Sequence, residues 1–515
     1  MALEYVEKAS TACAYCRARK QSCDKCLPRC SRCASKFRHC DYTPFRSVPT
    51  YPIRGAQAIL SLLVERTSCG PNLSAHGATE LLRTASEGKM AKLGRLCSDV
   101  LIQADVAEED MVHEYKHSMH PWLPAISVDF LGTVPQLAQR SCQVESPRFH
   151  TPGSGTLPPL LALGLFLLTR RPCAHAEHIK NSTLYVTVKQ ILTTLSLSEE
   201  LLLDVLQASL LVAAYECGHG MARQAYLTIG SCASILNLLD STSRQNKRGF
   251  DGLEFRRTLW TATLFMDRVN TLSTLAFDTP LACPTSSPLS RRVERSFSSV
   301  DVPTLECSPE EILQLHITAK VTLITGRVLE YVFALKEGST PQEDYASIEE
   351  AVSNMAIDLV VHQANLSWPL CDAIALVLCS ALVLHTTQVT HDTLQTLPKA
   401  RLALKSSQDM ARDMVHSTMA VMQPQEIRSH SFAGLCCVLG LAPLLTGGMV
   451  DGGERAGDLR RVVPIVKKFA ARWNVGKVYL EALARQTERS SDVRMEWGSQ
   501  TGASGNSNGK VWISS

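Results

Sequence analysis

The chain has 515 residues, 45% of them hydrophobic and 20% charged, a length that allows one large core or two or three ordinary domains. Its formal net charge of +3 says nothing about a polyanion partner, but residues 10–46 hold nine basic and two acidic side chains, which puts +7 there and leaves −4 for the rest. Of its 19 cysteines, seven fall within residues 13–40 and the others are scattered, often in apolar runs, which excludes a secreted disulfide scaffold.

Taken in chain order, residues 1–10 read as a flexible N-terminus. Glu4, Glu7 and Lys8 stand where a signal peptide would need an apolar run. Residues 11–44 form the cysteine head. With Cys26 left out, Cys13, Cys16, Cys23, Cys30, Cys33 and Cys40 read C-x2-C-x6-C-x6-C-x2-C-x6-C, two like halves. Each C-x2-C can open a helical turn and aim two sulfurs at one metal. Each half offers three thiolates where tetrahedral zinc takes four, a deficit that two shared cysteines remove. In a reducing compartment, clustered cysteines mean metal. The alternative, a one-zinc ribbon on Cys13, Cys16, Cys30 and Cys33, leaves the x6 spacings unexplained. Cys26 reads either as a bystander or as a partner of Cys23 in another ligand set.

The head resembles the fungal Zn(II)2Cys6 binuclear zinc-cluster transcription factors, through Ala12-Cys13, Cys16-Arg17, Arg19-Lys20, Cys23-Asp24, Pro28, Cys30, Cys33, Cys40 and Tyr42. The resemblance implies two zinc ions. Cys13 and Cys30 would bridge them, Cys16 and Cys23 would complete one site, and Cys33 and Cys40 the other. It implies that Lys20 reads a CGG-type triplet in the major groove, with Arg17 and Arg19 on phosphates or the groove. A short helix rich in Arg and Lys suits guanine O6 and N7, and the surrounding charge suits phosphates. The chain departs from the family at Ser22, where Lys or Arg is usual before the third cysteine, and at the extra Cys26.

Residues 45–77 read as a linker with a short apolar patch at Leu60, Leu63 and Val64, broken by Cys69-Gly70-Pro71-Asn72. Residues 78–490 read as an all-α regulatory domain, with helical segments between Pro/Ser/Gly punctuation. Ile348, Val352, Met355 and Leu359, spaced 4-3-4, mark a core stripe. The longest apolar stretch, Leu157 to Leu168, is too short to cross a bilayer. Gly218 and Gly220 read as a helix junction, not a phosphate loop. Trp122 and Trp260 read as buried anchors, Arg257 or Arg268 as partners of Asp267 or a helix end, and Arg460, Arg461, Lys467, Lys468 and Arg472 as a solvated face. Residues 491–515 read as a disordered tail.

Several body phrases resemble the regulatory (middle homology) region that follows such clusters: His120-Pro121-Trp122-Leu123-Pro124, Leu160 to Arg170, and Arg256-Arg257 with Trp260 and Asp267-Arg268. Gln207 to Glu216, with Gly218 to Gly220 and Ala225 to Leu227, resembles regulators of secondary-metabolite gene clusters. No metalloprotease, nucleophile-elbow or phosphate-loop motif is found, and His117 and His120 near Glu114 read as core or surface. The expectation is a mostly α, non-enzymatic nuclear regulator of transcription. Its partners would be double-stranded DNA and the transcription machinery, with no membrane. A homodimer is left open by the lack of a sustained heptad in residues 55–66. The alternatives are a zinc-stabilised protein-interaction adaptor and, more remotely, a helical enzyme with a fused zinc head.

Overall fold

The computed structural model describes Ala9, Ala12, Cys13, Cys16, Cys40 and residues 21–27 and 29–36 of the head. Beyond it, the described residues are 64–67, 70–73, 89–127, 157–170, 182–196, 202–243, 253–274, 280–298, 310–363, 371–391, 397–421 and 463–485, apart from 465, 468 and 482. The chain divides into two units, Met1–Ile59 and Leu60–Ser515. In the first, the helix α1 spans Ser31–Ser35.

The second unit begins with an antiparallel pair, β1 (Val64–Thr67) and β2 (Gly70–Leu73), with Val64 opposite Leu73 and Thr67 opposite Gly70. By sequence, Cys69 to Asn72 is expected to be a break. Gly70 and Pro71 instead sit in a two-stranded ribbon, where proline keeps an unpaired edge.

Helices follow: α2 (Lys89–Ala104), α3 (Glu108–Ser118), α4 (Pro159–Thr169), α5 (Thr183–Leu195), α6 (Leu202–Gly218), α7 (Ala222–Ser243) and α8 (Leu253–Ser273). They continue with α9 (Pro288–Ser298), α10 (Glu310–Lys336), α11 (Tyr345–Gln363), α12 (Cys371–His391) and α13 (Leu397–Val421). Further helical turns lie within 463–470 and 475–485.

Apolarity sets depth. In α4, which starts with proline at its first position, Leu160 through Leu168 are all buried, and α6 is buried from Val205 to Gly218. Helices apolar all round belong at a centre. These two pack on each other, with α2, α3 and α5 against α4, and α5, α7 and α8 against α6. The helix α8 also packs on α9 and α10, and α12 lies against α10, α11 and α13. One apolar cluster runs through them from Leu93 to Tyr479. Among the described residues the helix α12, not the 157–168 stretch, has the length and apolarity to cross a bilayer, and most of it is buried within the helical body.

Amphipathic helices cover this centre. In α9, Leu289, Val293 and Phe297 face in while Arg291, Glu294 and Arg295 face out, and the Ser287 hydroxyl caps the Ser290 amide at 3.2 Å. The expected stripe of α11, Ile348, Val352, Met355 and Leu359, is buried.

Trp122 and Trp260 are buried as read, with the Trp122 indole donating to the Ser118 carbonyl at 2.9 Å. Arg268 pairs with Asp267 and donates to the Cys283 carbonyl at 2.7 Å, while Asp267 accepts the Ala282 and Cys283 amides at 3.0 and 3.1 Å. Arg257 instead pairs with Glu254 one turn away, at 2.9 Å. The buried Glu216 carboxylate is held by the Tyr185 hydroxyl at 2.6 Å, Lys189 at 2.9 Å and the Thr228 hydroxyl at 2.5 Å, joining α5, α6 and α7.

The junction after α6 is built as read. Gly220 adopts φ +74°, the Gly220 amide bonds the Cys217 carbonyl at 3.0 Å, and the Met221 amide bonds the Glu216 carbonyl at 2.8 Å. That is a left-handed helix stop, which favours glycine. At Gly218 the reason is space, since a Cβ there would stand 2.2 Å from the Trp473 ring.

Arg472 corrects the solvated-face reading. Its guanidinium caps the end of α4, donating to the carbonyls of Leu168 at 3.0 Å, Thr169 at 3.3 Å and Arg170 at 3.2 Å, so it satisfies carbonyls that have no partner within the helix. Lys467 is exposed as expected. Arg460, Arg461 and Lys468 lie outside the described residues.

Candidate metal centre

Among the described residues of the head the buried side chains are Cys13, Cys16, Cys30 and Cys33, with Cys23 and Cys40 packed against them. The sulfurs fall into two groups of four. Cys13, Cys16, Cys23 and Cys30 lie within 4.8 Å of one another, and so do Cys13, Cys30, Cys33 and Cys40. Cys13 and Cys30 are common to both.

The spacings test what such a site can hold. Cys13 and Cys30 sulfurs are 3.8 Å apart, Cys13 and Cys33 3.7 Å, and Cys16 and Cys30 3.8 Å. A disulfide needs about 2.05 Å. A tetrahedron with Zn–S bonds of about 2.3 Å has edges of about 3.8 Å. The donor set therefore fits two zinc ions.

Local backbone prepares the sulfurs. The Gln21 amide donates to the Cys16 carbonyl at 2.9 Å. Cys30 is the N-cap of α1, where its sulfur accepts the Cys33 amide at 3.4 Å, and the Cys30 amide donates to the Cys40 sulfur at 3.4 Å. Such amide donors favour thiolate. Burial works against the charged form at Cys13, Cys16, Cys23, Cys30 and Cys33. At Cys33 it prevails, reinforced by the neighbouring thiols, and the thiol is pushed up. At Cys23 burial is outweighed by the backbone donors of Cys13 and Lys25 and by the Cys30 thiol, which lower it to about 7.

Two side chains tie the halves together. The Asp24 carboxylate, just after the third cysteine, accepts the Ser31 amide at 3.1 and 3.2 Å and the Ser31 hydroxyl, which hold it below the usual carboxylate range. Arg32 reaches back from α1 to the Gln21 amide oxygen at 3.2 Å and the Ser22 hydroxyl at 3.3 Å. By sequence, Asp24 is a motif residue and Arg32 counts only as charge. Nothing in the spacing says which oxygens an arginine eleven residues on will reach.

Cys26 belongs to neither sulfur group; its thiol faces the Asp24 carbonyl at 3.8 Å. The expected DNA-facing residues Arg17, Arg19 and Lys20 lie outside the described residues. Among the described residues no other group of metal-ligating side chains comes together, and the His117 ring meets the His113 carbonyl at 2.8 Å instead of joining His120.

Comparison with known proteins agrees with this geometry. Residues 11–48 match the model of the fungal Zn(2)-Cys(6) binuclear cluster domain. The chain is also similar to transcription factor BOA15 of Botryotinia fuckeliana (strain B05.10), 34% identical over 138 residues, which are 27% of this chain and 68% of that protein.

Proposed function

Since the chain belongs to the fungal Zn(2)-Cys(6) binuclear cluster family, we propose that it is a nuclear, sequence-specific DNA-binding regulator of transcription by RNA polymerase II. The observation that carries this reading is the pair of four-sulfur groups sharing Cys13 and Cys30, inside a segment of charge +7. In this reading Cys13 and Cys30 bridge two metal sites, Cys16 and Cys23 complete one, and Cys33 and Cys40 the other. Bound zinc supplies the cross-links that so short a cysteine-centred head needs to fold. Lys20 reads a CGG-like triplet through guanine O6 and N7. Arg17 and Arg19 hold the phosphates, which fix register and supply affinity. The helical body acts as the regulatory domain that governs contacts with the transcription machinery. Its resemblance to regulators of secondary-metabolite gene clusters makes such a cluster the expected target.

The test is selection of the full-length, zinc-loaded chain against a random duplex pool. Enrichment of one motif containing a CGG-like triplet supports the reading, and Lys20→Ala then lowers binding to that motif by roughly 1–3 kcal/mol with zinc content unchanged. Enrichment of no motif overturns it in favour of a zinc-stabilised interaction adaptor.

A further inference from the structure

The six cysteines leave unused one of the two side chains that tie the second half of the head to the first. Arg32 lies in α1 between Cys30 and Cys33, half-buried, and its guanidinium spans the Gln21 amide oxygen at 3.2 Å and the Ser22 hydroxyl at 3.3 Å. Both acceptors are neutral oxygens, so these bonds leave the positive charge uncompensated. They use one hydrogen of each terminal nitrogen, and among the described residues the remaining N–H donors of the fork meet no acceptor.

The place where this charge is delivered matters. Gln21 and Ser22 are exposed and follow directly on Arg17, Arg19 and Lys20, the residues proposed above to face DNA. From Gln21 to Asp24 the first half has no cation of its own and ends on a carboxylate. Arg32 supplies from the other half the charge this stretch lacks. Two hydrogen bonds already hold the fork, so ordering it on a ligand costs less than ordering a free arginine. A planar fork with spare donors suits the oxygens of a phosphate.

We infer that Arg32, braced by Gln21 and Ser22, is a contact to the DNA phosphate backbone at the C-terminal end of the reading segment. This rests on the DNA-reading function proposed above. The rival role is a purely structural tie between the halves. Salt dependence separates the two, because only a phosphate contact releases counterions.

The experiment titrates the full-length, zinc-loaded chain against the duplex motif it enriches from a random pool and against a scrambled duplex, at several salt concentrations. Zinc content is measured for every variant. Arg32→Ala is expected to weaken binding roughly tenfold on both duplexes and to make the salt slope shallower by about 1, with zinc retained. Adding Ser22→Arg to Arg32→Ala returns the charge directly and restores both affinity and slope. If Arg32→Ala sheds zinc, Arg32→Gln, which keeps a hydrogen-bonding head without charge, is expected to give the same shallower slope. Unchanged binding, or weaker binding at an unchanged slope, overturns the Arg32 assignment and leaves the regulator reading intact. Failure of the parent chain to enrich any motif overturns both.

Discussion

Among the described residues the buried side chains of the head are Cys13, Cys16, Cys30 and Cys33, whereas in the helical body the main apolar cluster runs from Leu93 to Tyr479. The head excludes water with sulfur that is stable only when neutralised by metal. The body excludes it with Leu, Val, Ile and aromatic rings that need no ligand. Stability of the two units should therefore respond to different agents, and each agent should leave the other unit in place.

Metal removal is the largest break. Structural zinc contributes about 10–16 kcal/mol to the folding of small zinc modules. Chelation, or Cys13→Ala at a sulfur shared by both groups, is expected to abolish DNA binding while the helical circular dichroism and the melting of the body persist. Melting of the body together with the metal would show that the two units are not independent.

A break of intermediate size targets the body. Trp473 is fully buried against Gly218, and Arg472 beside it caps α4. Trp473→Ala is expected to cost about 3–5 kcal/mol in urea unfolding, with two zinc ions still bound. Gly218→Ala destabilises too, because its methyl would overlap the indole. With the indole gone that overlap vanishes, so the double variant should lose less than the two singles together. Strict additivity would mean that the packing between Gly218 and Trp473 is not what holds this junction.

Acid sharpens the comparison. Burial, with Arg472 and Lys477, lowers His219 to about 3, and burial with Lys116 lowers His120 to about 4. An unfolded histidine binds its proton near pH 6.5. The stability these neutral rings support is therefore complete above about pH 6.5 and is lost progressively as pH falls toward 3–4. Each ring contributes a slope of up to about 1.4 kcal/mol per pH unit. His219→Gln should flatten the acid slope of the body in urea melts between pH 6.5 and 4. An unchanged slope would assign acid sensitivity elsewhere. Zinc release follows thiolate protonation in the head and is read separately, by metal content.

The two regions also differ in how far they were legible. The sulfur groups could be read because ligand chemistry is written in residue type and spacing, and the C-x2-C-x6-C repeat leaves few arrangements for tetrahedral metal. The stripe from Ile348 to Leu359 and the stop at Gly220 were legible for a related reason, since helix period and left-handed backbone are local. Arg472 was not. Its acceptors, Leu168 to Arg170, lie some three hundred residues away, and only packing of the last helical turns beside α4 brings them together. The pairing of Val64–Thr67 with Gly70–Leu73 is not legible, because Gly70 and Pro71 signal a break unless their strand partner is known. The position of Arg32 on Gln21 and Ser22 has the same origin, as it depends on how the two halves close around shared sulfur.

The smallest expected effect decides the ligand set. Cys26 has the chemistry of a zinc ligand and sits three residues from Cys23, so sequence alone leaves it a candidate. In the structure its thiol faces the Asp24 carbonyl and stands outside both groups of four. A tetrahedral pair sharing Cys13 and Cys30 is already complete with six sulfurs, and a seventh would have to displace one. Cys26→Ser should therefore leave two zinc ions per chain by native mass spectrometry, with unchanged DNA affinity, whereas Cys23→Ser should lose metal. Loss of zinc from Cys26→Ser with retention in Cys23→Ser would invert the assignment. It would also shift the end of the first half, and with it the placement of Arg17, Arg19 and Lys20 on DNA.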